Sequence, residues 1–301
     1  MTRVKVWIEA FRLRTLPLAL SCVGMGAFLA AAKGAFQWPI FLLCFLTTLL
    51  LQILSNLAND YGDTIHGADH DQRIGPIRAV QSGAISPGVM KKAIGLFVVL
   101  SLASGVGLLY VALGWEWQTF LFFLGLGLFS LVAAIAYTNG KRPYGYAGLG
   151  DLSVLLFFGL AGVMGTFYLF TKKISWLELL PALSCGFFSI GVLNLNNIRD
   201  IESDRKAGKH SIPVRIGRNL SIFYHWSLLS SGFLSALVYV LLTNHNAISF
   251  LFLCTLPLFF RNAIRVKKYP PSALNPYLRE LALSTLIFVL FFGLGQIFTH
   301  G

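Results

Sequence analysis

Nine long apolar segments constrain the fold of this chain more than any other feature of its sequence. They lie at roughly residues 15–33, 39–58, 93–113, 119–137, 151–170, 176–195, 221–242, 247–260 and 281–299. A helix needs about 20 apolar residues to cross the hydrocarbon core of a membrane, and a helix satisfies its own backbone groups there. The sequence therefore predicts an all-α integral membrane protein with nine transmembrane helices in one bundle. No polar insertion is long enough for a soluble domain, so we expect residues 1–301 to form a single domain.

The distribution of charge predicts how this bundle is oriented. Only 12% of the residues are charged and 56% are hydrophobic, which excludes an ordinary soluble domain. With the N-terminus placed in the cytoplasm, every Lys and Arg except Lys33, Lys172 and Lys173 falls on the inner side, as the positive-inside rule requires. This bias accounts for most of the net charge of +12, and the remaining basic residues suit anionic lipid or an anionic substrate. We therefore predict contact with the lipid bilayer and no nucleic-acid partner. The sequence leaves the oligomeric state open.

Two polar segments occupy equivalent positions in the two halves of the chain. Segment 56–83 follows the second apolar segment, and segment 194–217 follows the sixth. A shift of 137 positions superposes Asn59 on Asn196, Asp63 on Asp200, Pro76 on Pro213 and Arg78 on Arg215. Both segments face the cytoplasm in the orientation above. We therefore predict two Asp-rich cytosolic loops, after helices two and six, that together form one divided site.

The spacing of acids and amides within these segments suits a hard cation. Asn56, Asn59 and Asp63 recur at intervals of three and four residues, so they share one side if the second helix continues. Asp200 and Asp204 are likewise four residues apart and share a helical face. Carboxylate and amide oxygens are the ligands that Mg²⁺ accepts, and substrate phosphates usually complete its shell. A solvated acidic loop is the alternative interpretation, and the second copy of the pattern argues against it.

Basic and aromatic residues near the acids indicate an anionic substrate. Each acidic segment continues into bases, and Arg offers a planar fork to phosphate oxygens. Further candidate residues lie in the inner loop before the fifth helix and at the start of the first: Tyr137, Lys141, Tyr144, Asp151 and Arg14. Alternatively, the only role of Asp151 is to stabilise the dipole of its own helix at the N-terminus. Arg12 and Arg14 can serve only as membrane anchors, or one of them can bind a carboxylate or phosphate at the mouth of the bundle.

A transporter is the main alternative from another functional class. Repeated halves with polar interruptions at corresponding positions are also typical of transporters. The acids in this chain cluster at one water-facing edge, however, and the interiors of the apolar segments are nearly free of ionisable residues. Both features disfavour an ion path through the membrane. The compact Asp-Gly-containing motif of a CDP-alcohol phosphotransferase, a further alternative, is absent from the sequence.

The two polar segments resemble the paired Asp-rich motifs of the UbiA superfamily of intramembrane aromatic prenyltransferases. The matching stretches are NLANDYGD at 56–63, RIGPIRAVQSG at 73–83 and NNIRDIESDRKAG at 196–208. The likeness covers essentially the whole chain, and it is greatest for members that prenylate 1,4-dihydroxy-2-naphthoate in menaquinone synthesis. The sequence departs from the superfamily pattern at Gly67, where a further Asp is frequent. Asp69 or Asp71 can substitute for that acid.

The resemblance implies a role for each polar residue of the two motifs. The implied catalytic residues are Asp60, Asp63, Asp200 and Asp204. The implied ligands of Mg²⁺ are Asn59, Asp60, Asp63, Asn196, Asp200 and Asp204. The implied diphosphate-binding residues are Arg78, Lys206, Lys209 and Arg215. Asn56, Asp69 and Asp71 are candidates for acceptor binding or for a further role in the site.

The resemblance also implies a reaction. A polyprenyl group passes from polyprenyl diphosphate to 1,4-dihydroxy-2-naphthoate with loss of CO₂ and diphosphate, which gives demethylmenaquinol. The expected location is the bacterial inner membrane. Other aromatic acceptors, 4-hydroxybenzoate or homogentisate, and a phytyl donor stay open as alternatives, as do the prenyl length and the general base.

Overall fold

The computed structural model describes residues 3–67, 74–243 and 246–300, and the regular elements in these ranges are all helices. The predicted all-α class is therefore confirmed for the described part of the chain. The helices are α1 (Arg3–Phe11), α2 (Leu16–Ala32), α3 (Trp38–Ile65), α4 (Pro87–Leu113), α5 (Trp117–Ala136), α6 (Gly150–Thr171), α7 (Leu179–Arg199), α8 (Ile201–Lys206), α9 (Ile212–Thr243), α10 (Ala247–Lys268) and α11 (Asn275–His300). Several of them begin with a proline in the first turn, where no backbone N–H is needed.

The described helices agree with the predicted membrane spans in position. Eight of the helices within the described ranges are long and apolar enough to cross a membrane: α3, α4, α5, α6, α7, α9, α10 and α11. Helix α2 has 17 residues and meets α1 at a bend of 52°, and this bent pair would be a ninth span. The short eighth apolar segment does form a helix, α10, in spite of Pro257. The number nine depends on the α1–α2 pair and stays a prediction.

The helix ends differ from the prediction at both Asp-rich segments. Helix α3 continues past its apolar run to Ile65, so Asn59, Asp60 and Asp63 lie on its last two turns and not in a loop. Asp200 lies at the junction of α7 and α8, and Asp204 lies on α8. A continued helix keeps the backbone paired close to lipid. The acids are consequently fixed on helices or, for Asp200, at the junction of two helices.

Helix α7 is the most buried of the eight spanning helices and organises the core. Its Phe188 ring lies 4.6 Å from the ring of Phe259 and 4.9 Å from the ring of Phe288. Gly159 of α6 faces Gly186 of α7, and a Cβ added at Gly159 would lie 3.2 Å from the Gly186 Cα. Small residues let membrane helices approach this closely. The packing therefore fixes the helix whose C-terminal end carries the second acidic segment.

An ion pair at the opposite end of α7 gives a first testable prediction. Glu178 is 1% exposed, and its carboxylate lies 2.6 Å from the Lys33 ammonium at the end of α2. The 21 residues of α7 place this pair about 30 Å from Asp200. We expect Glu178→Gln to lower the melting temperature by roughly 2–4 °C, because it removes one charge of a largely buried pair. Turnover per folded molecule should not change, since the pair is remote from the acids.

The exposed pair between Glu202 and Arg205 on α8 is the matched control. These side chains lie 2.9 Å apart and are 73% and 53% exposed. Glu202→Gln should shift the melting temperature by less than about 1 °C, because exposed ion pairs contribute little. Thermal unfolding in detergent measures both variants, and equal shifts would contradict a structural role for the Glu178 pair.

Candidate active site

Asp63 is the centre of a charged cluster that joins the two halves of the chain. Its carboxylate is buried and lies 2.6 Å from Nη1 of Arg78 and 3.0 Å from Nζ of Lys209. The Tyr146 hydroxyl donates a hydrogen bond to the same carboxylate at 2.9 Å. Lys209 also lies 3.6 Å from the carboxylate of Asp204. The two polar segments therefore meet at one point, as their repeated pattern predicts.

Arg199 fixes the geometry of the second acidic segment. This residue is buried, and its Nε and Nη2 donate to the two carboxylate oxygens of Asp200 at 2.9 and 2.6 Å. The same guanidinium donates to the amide oxygens of Asn196 at 2.8 Å and of Asn275, at the start of α11, at 3.0 Å. A bidentate pair of this kind fixes the orientation of the carboxylate as well as stabilising it. Arg199 thus orients Asn196 and Asp200, two of the predicted metal ligands.

A polar cavity of about 220 Å³ lies between the two acidic segments. The charged and amide residues on its wall are Arg12, Gln52, Asn59, Asp63, Arg78, Asp151, Asn196, Asn197, Asp200, Asp204 and Lys209. An apolar cavity of about 420 Å³ adjoins it among α3, α4, α5 and α6. The residues common to both walls are Gln52, Asn59, Tyr137, Val154, Phe158 and Leu193. The pair of cavities can accommodate a molecule with an anionic head and a long apolar tail.

Asp60 lies in a different environment from Asp63, although both were predicted as metal ligands. Its two carboxylate oxygens accept hydrogen bonds from the backbone N–H groups of Ala79 and Val80, each at 3.1 Å. Asp60 is buried and is not among the described residues that line the polar cavity. Its contacts fasten the loop that carries Arg78 against α3. They do not favour the predicted role of Asp60 as a metal ligand.

The inner loop at 137–149 forms the third wall of the cavity. The Thr138 hydroxyl donates to the amide oxygen of Asn59 at 3.1 Å. This contact needs Gly62, because a Cβ there would lie 2.6 Å from the Thr138 carbonyl oxygen. Burial raises the pKa of Tyr146, and the nearby Asp63 carboxylate raises it further. Tyr146 therefore stays a neutral hydrogen-bond donor beside that acid.

Three other predicted residues of this region also lie near the cavities. Asp151 lines the polar cavity and accepts a hydrogen bond from the Tyr224 hydroxyl at 2.7 Å. Tyr137 lines both cavities, and Tyr144 lines the apolar one. The Tyr144 hydroxyl lies 3.0 Å from that of Ser153. All three line the site, and the hydrogen bond described to the Asp63 carboxylate from this loop is that of Tyr146.

The predicted basic residues divide into two groups. Arg78 and Lys209, two of the residues predicted to bind diphosphate, lie in the polar cavity. Arg215 instead donates from Nε and Nη2 to the carbonyl oxygens of His210 and Ala147, at 2.7 Å each. It joins α9 to the inner loop and is absent from the described wall of the cavity.

Some predicted residues lie outside the cavity walls or outside the described structure. Lys141 and Lys206 are exposed and line neither of the two cavities where these are described. Asp69 and Asp71 lie outside the described residues, and the structure does not describe the side chain of Arg14. Their predicted roles stay predictions.

The oxygen ligands at the polar cavity fit Mg²⁺ that is bound together with a phosphate group. They come from Asn59, Asp63, Asn196, Asp200 and Asp204. Within the described ranges, no three carboxylate, His or Cys side chains form a preformed metal centre. Mg²⁺ usually takes one or two carboxylates and completes its shell with substrate phosphates and water. Each half of the site can offer such carboxylates to an ion shared with a diphosphate.

Sequence reasoning missed Arg199 and Tyr146 as site residues. In the sequence, Arg199 contributes only to the inner positive charge, and adjacent residues of a continuous helix do not face each other. The helix breaks at Asp200, which brings the two side chains together. Tyr146 contacts Asp63 across 83 positions of the chain, and no local pattern indicates such a contact.

Comparison with known proteins identifies relatives over nearly the whole chain. The model of the UbiA prenyltransferase family matches residues 19–294. A Haemophilus influenzae protein named 1,4-dihydroxy-2-naphthoate octaprenyltransferase is 45% identical, over 97% of this chain and 96% of its own. An Escherichia coli protein of the same name is 43% identical, over 98% of this chain and 96% of its own.

Solved structures have the same fold. The apo structure of a UbiA homolog from Aeropyrum pernix gives a TM-score of 0.69 at 18% identity, over 95% of this chain and 98% of that chain. The structure of a UbiA homolog from Archaeoglobus fulgidus, bound to DMAPP and Mg²⁺, gives a TM-score of 0.59 at 18% identity, over 95% of this chain and 98% of that chain. The family model and the two bacterial relatives agree with this fold, and the chain belongs to the UbiA prenyltransferase family.

Proposed function

We propose that this protein transfers a polyprenyl group from its diphosphate to 1,4-dihydroxy-2-naphthoate, in a reaction that requires Mg²⁺. The observation that carries the proposal is the convergence of Asp63 and Asp204 on Lys209, at a polar cavity that adjoins an apolar one. The polar cavity would hold the diphosphate and the apolar cavity the start of the prenyl chain. The names of the bacterial relatives support this acceptor and an octaprenyl donor.

The residues of the polar cavity would stabilise the leaving diphosphate. Asn59, Asp63, Asn196, Asp200 and Asp204 would hold Mg²⁺ there. When bound, Mg²⁺ supplies Lewis-acid stabilisation of the charge that develops on the departing oxygen. Arg78 and Lys209 already lie against Asp63, and each can donate to phosphate oxygens. Donors placed in advance where charge develops lower the barrier most.

The junction of the two cavities would shield the allylic cation. When the bond between the allylic carbon and the diphosphate oxygen breaks, its electron pair leaves with the diphosphate. Tyr137 and Phe158 lie on both cavity walls, and aromatic faces stabilise a nearby cation. The ring carbon that bears the acceptor carboxylate then bonds to the allylic carbon. The bond to the carboxylate carbon breaks, its electron pair returns to the ring, and CO₂ leaves.

The arrangement of the protein in the cell follows from the same proposal. We infer that residues 1–301 act as one membrane domain in the bacterial inner membrane, with the N-terminus and the acidic ends of α3 and α7 at the cytoplasmic face. A water-soluble acceptor and a membrane-borne donor would meet at this edge of the bundle. The positive-inside distribution of Lys and Arg supports the orientation.

A panel of acceptors tests the proposed function. Purified protein in detergent is incubated with octaprenyl diphosphate and dihydroxynaphthoate, 4-hydroxybenzoate or homogentisate, with Mg²⁺ or with EDTA. We expect the mass of demethylmenaquinol and release of CO₂ only with dihydroxynaphthoate and Mg²⁺, because the leaving diphosphate needs the metal. Transfer to 4-hydroxybenzoate without transfer to dihydroxynaphthoate would contradict the proposed acceptor. Equal transfer in EDTA would contradict the proposed metal.

A further inference from the structure

Arg12 occupies an unusual place at the edge of the polar cavity. It lies at the bend between α1 and α2 and lines the cavity that contains Asp63 and Asp200. Its backbone is left-handed, with φ 50° and ψ 52°, a conformation that residues other than glycine seldom adopt. Such strained residues persist where the surrounding structure holds them, and they concentrate at functional sites.

Side chains of α3 hold this bend in place. The Asn56 amide donates to the Phe11 carbonyl oxygen at 2.9 Å and to the Thr15 hydroxyl at 3.2 Å. The backbone N–H and the hydroxyl of Thr15 both donate to the Arg12 carbonyl oxygen at 2.9 Å. The Gln52 amide donates to the Thr15 hydroxyl at 3.3 Å. The helix that carries the first acidic segment therefore also sets the position of Arg12.

The proposed reaction brings two different anions to this site. Among the described residues, the basic side chains on the cavity wall are Arg12, Arg78 and Lys209. Arg78 and Lys209 both contact Asp63 and so lie where the diphosphate is proposed to bind. Arg12 reaches the cavity from a different part of the chain, the bend between α1 and α2. A carboxylate on the acceptor would require a cation of its own, and the Arg fork matches a carboxylate.

A buried hydroxyl on the same cavity wall supports an aromatic diol as the ligand. Ser189 of α7 is buried and lines the polar cavity together with Leu18 and Phe158. Its hydroxyl neighbours the Cys22 thiol, a weak hydrogen-bonding group, and has no nitrogen or oxygen partner within the described structure. Buried polar groups are usually paired, and a ring hydroxyl of the acceptor would provide the partner.

We propose that the aromatic acceptor binds between α2 and α7, with its carboxylate on Arg12 and a ring hydroxyl on Ser189. This inference rests on the proposed function and adds the place and polarity of the acceptor pocket. Leu18 and Phe158 form its apolar walls. Phe158 also lines the apolar cavity, so an acceptor ring in this pocket lies beside the point where the allylic carbon is released. Asn56 is then a positioning residue for Arg12.

Equilibrium binding to the Arg12→Asn protein tests the proposal without any need for turnover. The ligands are the fluorescent 1-hydroxy-2-naphthoate and 1-naphthol, which lacks the carboxylate. We expect the variant to bind 1-hydroxy-2-naphthoate about 10- to 100-fold more weakly, because a charge-assisted pair is lost. Binding of 1-naphthol should change by less than about 2-fold. Asn tolerates the left-handed conformation better than Arg does, so the variant should fold, and its melting temperature verifies this.

Three further variants sharpen the test. Arg12→Lys should retain part of the preference for 1-hydroxy-2-naphthoate over 1-naphthol. Ser189→Ala should weaken the binding of both ligands by a similar factor. Arg205→Asn removes an exposed Arg outside the described cavity walls and should change neither affinity. Unchanged binding of 1-hydroxy-2-naphthoate by Arg12→Asn, or an equal loss for both ligands, would overturn the proposal. Failure of the proposed function appears separately, as an absence of prenyl transfer by the wild-type protein in the acceptor panel.

Discussion

The Asp63→Asn protein should retain less than about one thousandth of wild-type turnover, whereas Asp60→Asn should lose only about 10-fold. Asp63 lines the polar cavity and contacts Arg78 and Lys209. Loss of its charge removes a proposed Mg²⁺ ligand and leaves two cations unbalanced where the diphosphate binds. Asp60 accepts hydrogen bonds from backbone amides of the loop that carries Arg78. The amide oxygen that Asp60→Asn introduces would preserve part of that contact. The substitution should therefore disturb the position of Arg78 and leave the proposed Mg²⁺ ligands in place.

The measurement is turnover as a function of Mg²⁺ concentration, with octaprenyl diphosphate and dihydroxynaphthoate. Asp60→Asn should leave the Mg²⁺ concentration for half-maximal turnover within about 2-fold of wild type, because its carboxylate is directed to the loop. Melting temperatures verify that both proteins are folded. If the two variants were equally inactive and both shifted the Mg²⁺ dependence, the metal would bind both acids. Near-normal turnover by Asp63→Asn would remove that residue from the site.

The contrast between these two acids illustrates what the sequence can predict about the site. The spacing of Asn59 and Asp63, with its repeat at Asn196 and Asp200, indicates one divided site, since helical periodicity relates residues on one face. The partners of Asp60 are backbone amides 19 and 20 positions away. Backbone groups have no sequence signature. An acid that fastens a loop therefore looks, in sequence, like an acid that faces a substrate.

The repeat between the halves is likewise informative only in part. It correctly relates Asp63 to Asp200, both of which line the polar cavity. It also pairs Arg78 with Arg215, but only Arg78 lies in the cavity, while Arg215 bonds to carbonyl oxygens of His210 and Ala147. Acids on helix ends keep their geometry through the helix. Bases on the connecting segments depend on how each loop folds, which the repeat does not determine.

The fold was predictable because membrane helices depend on length and composition, which are properties of the sequence alone. Every described spanning helix coincides with a predicted apolar segment. The ends of the helices were less predictable at the acids. Asn59 to Asp63 were expected in a loop, yet α3 continues to Ile65. Contacts such as that of Thr138 with Asn59 stabilise these polar turns, and such contacts join distant parts of the chain.

Asp200→Asn should reduce turnover about as strongly as Asp63→Asn, and it should also abolish the stabilisation of the protein by Mg²⁺ with inorganic pyrophosphate. Arg199 holds both carboxylate oxygens of Asp200 toward one side, and a carboxylate has enough lone pairs to accept a metal as well. Asparagine offers a single oxygen, so the guanidinium and the metal would compete for it. Turnover should therefore fall by about 10³-fold.

The thermal shift separates this loss of ligand from a loss of folding. Ligands that bind only the folded state raise the melting temperature, so Mg²⁺ with pyrophosphate should raise it for wild type and for Glu202→Gln, whose exposed carboxylate pairs with Arg205 on the same short helix. Asp200→Asn should start from a somewhat lower melting temperature, because buried Arg199 loses the negative charge of its partner and one of the two hydrogen bonds to it. Mg²⁺ with pyrophosphate should not raise the melting temperature of this variant. A normal shift in Asp200→Asn would contradict metal binding at this acid. If Mg²⁺ with pyrophosphate no longer raised the melting temperature of Glu202→Gln, the result would contradict a specific role of Asp200. The net charge of α8 would then attract the metal and the diphosphate, and the orientation of Asp200 by Arg199 would not matter.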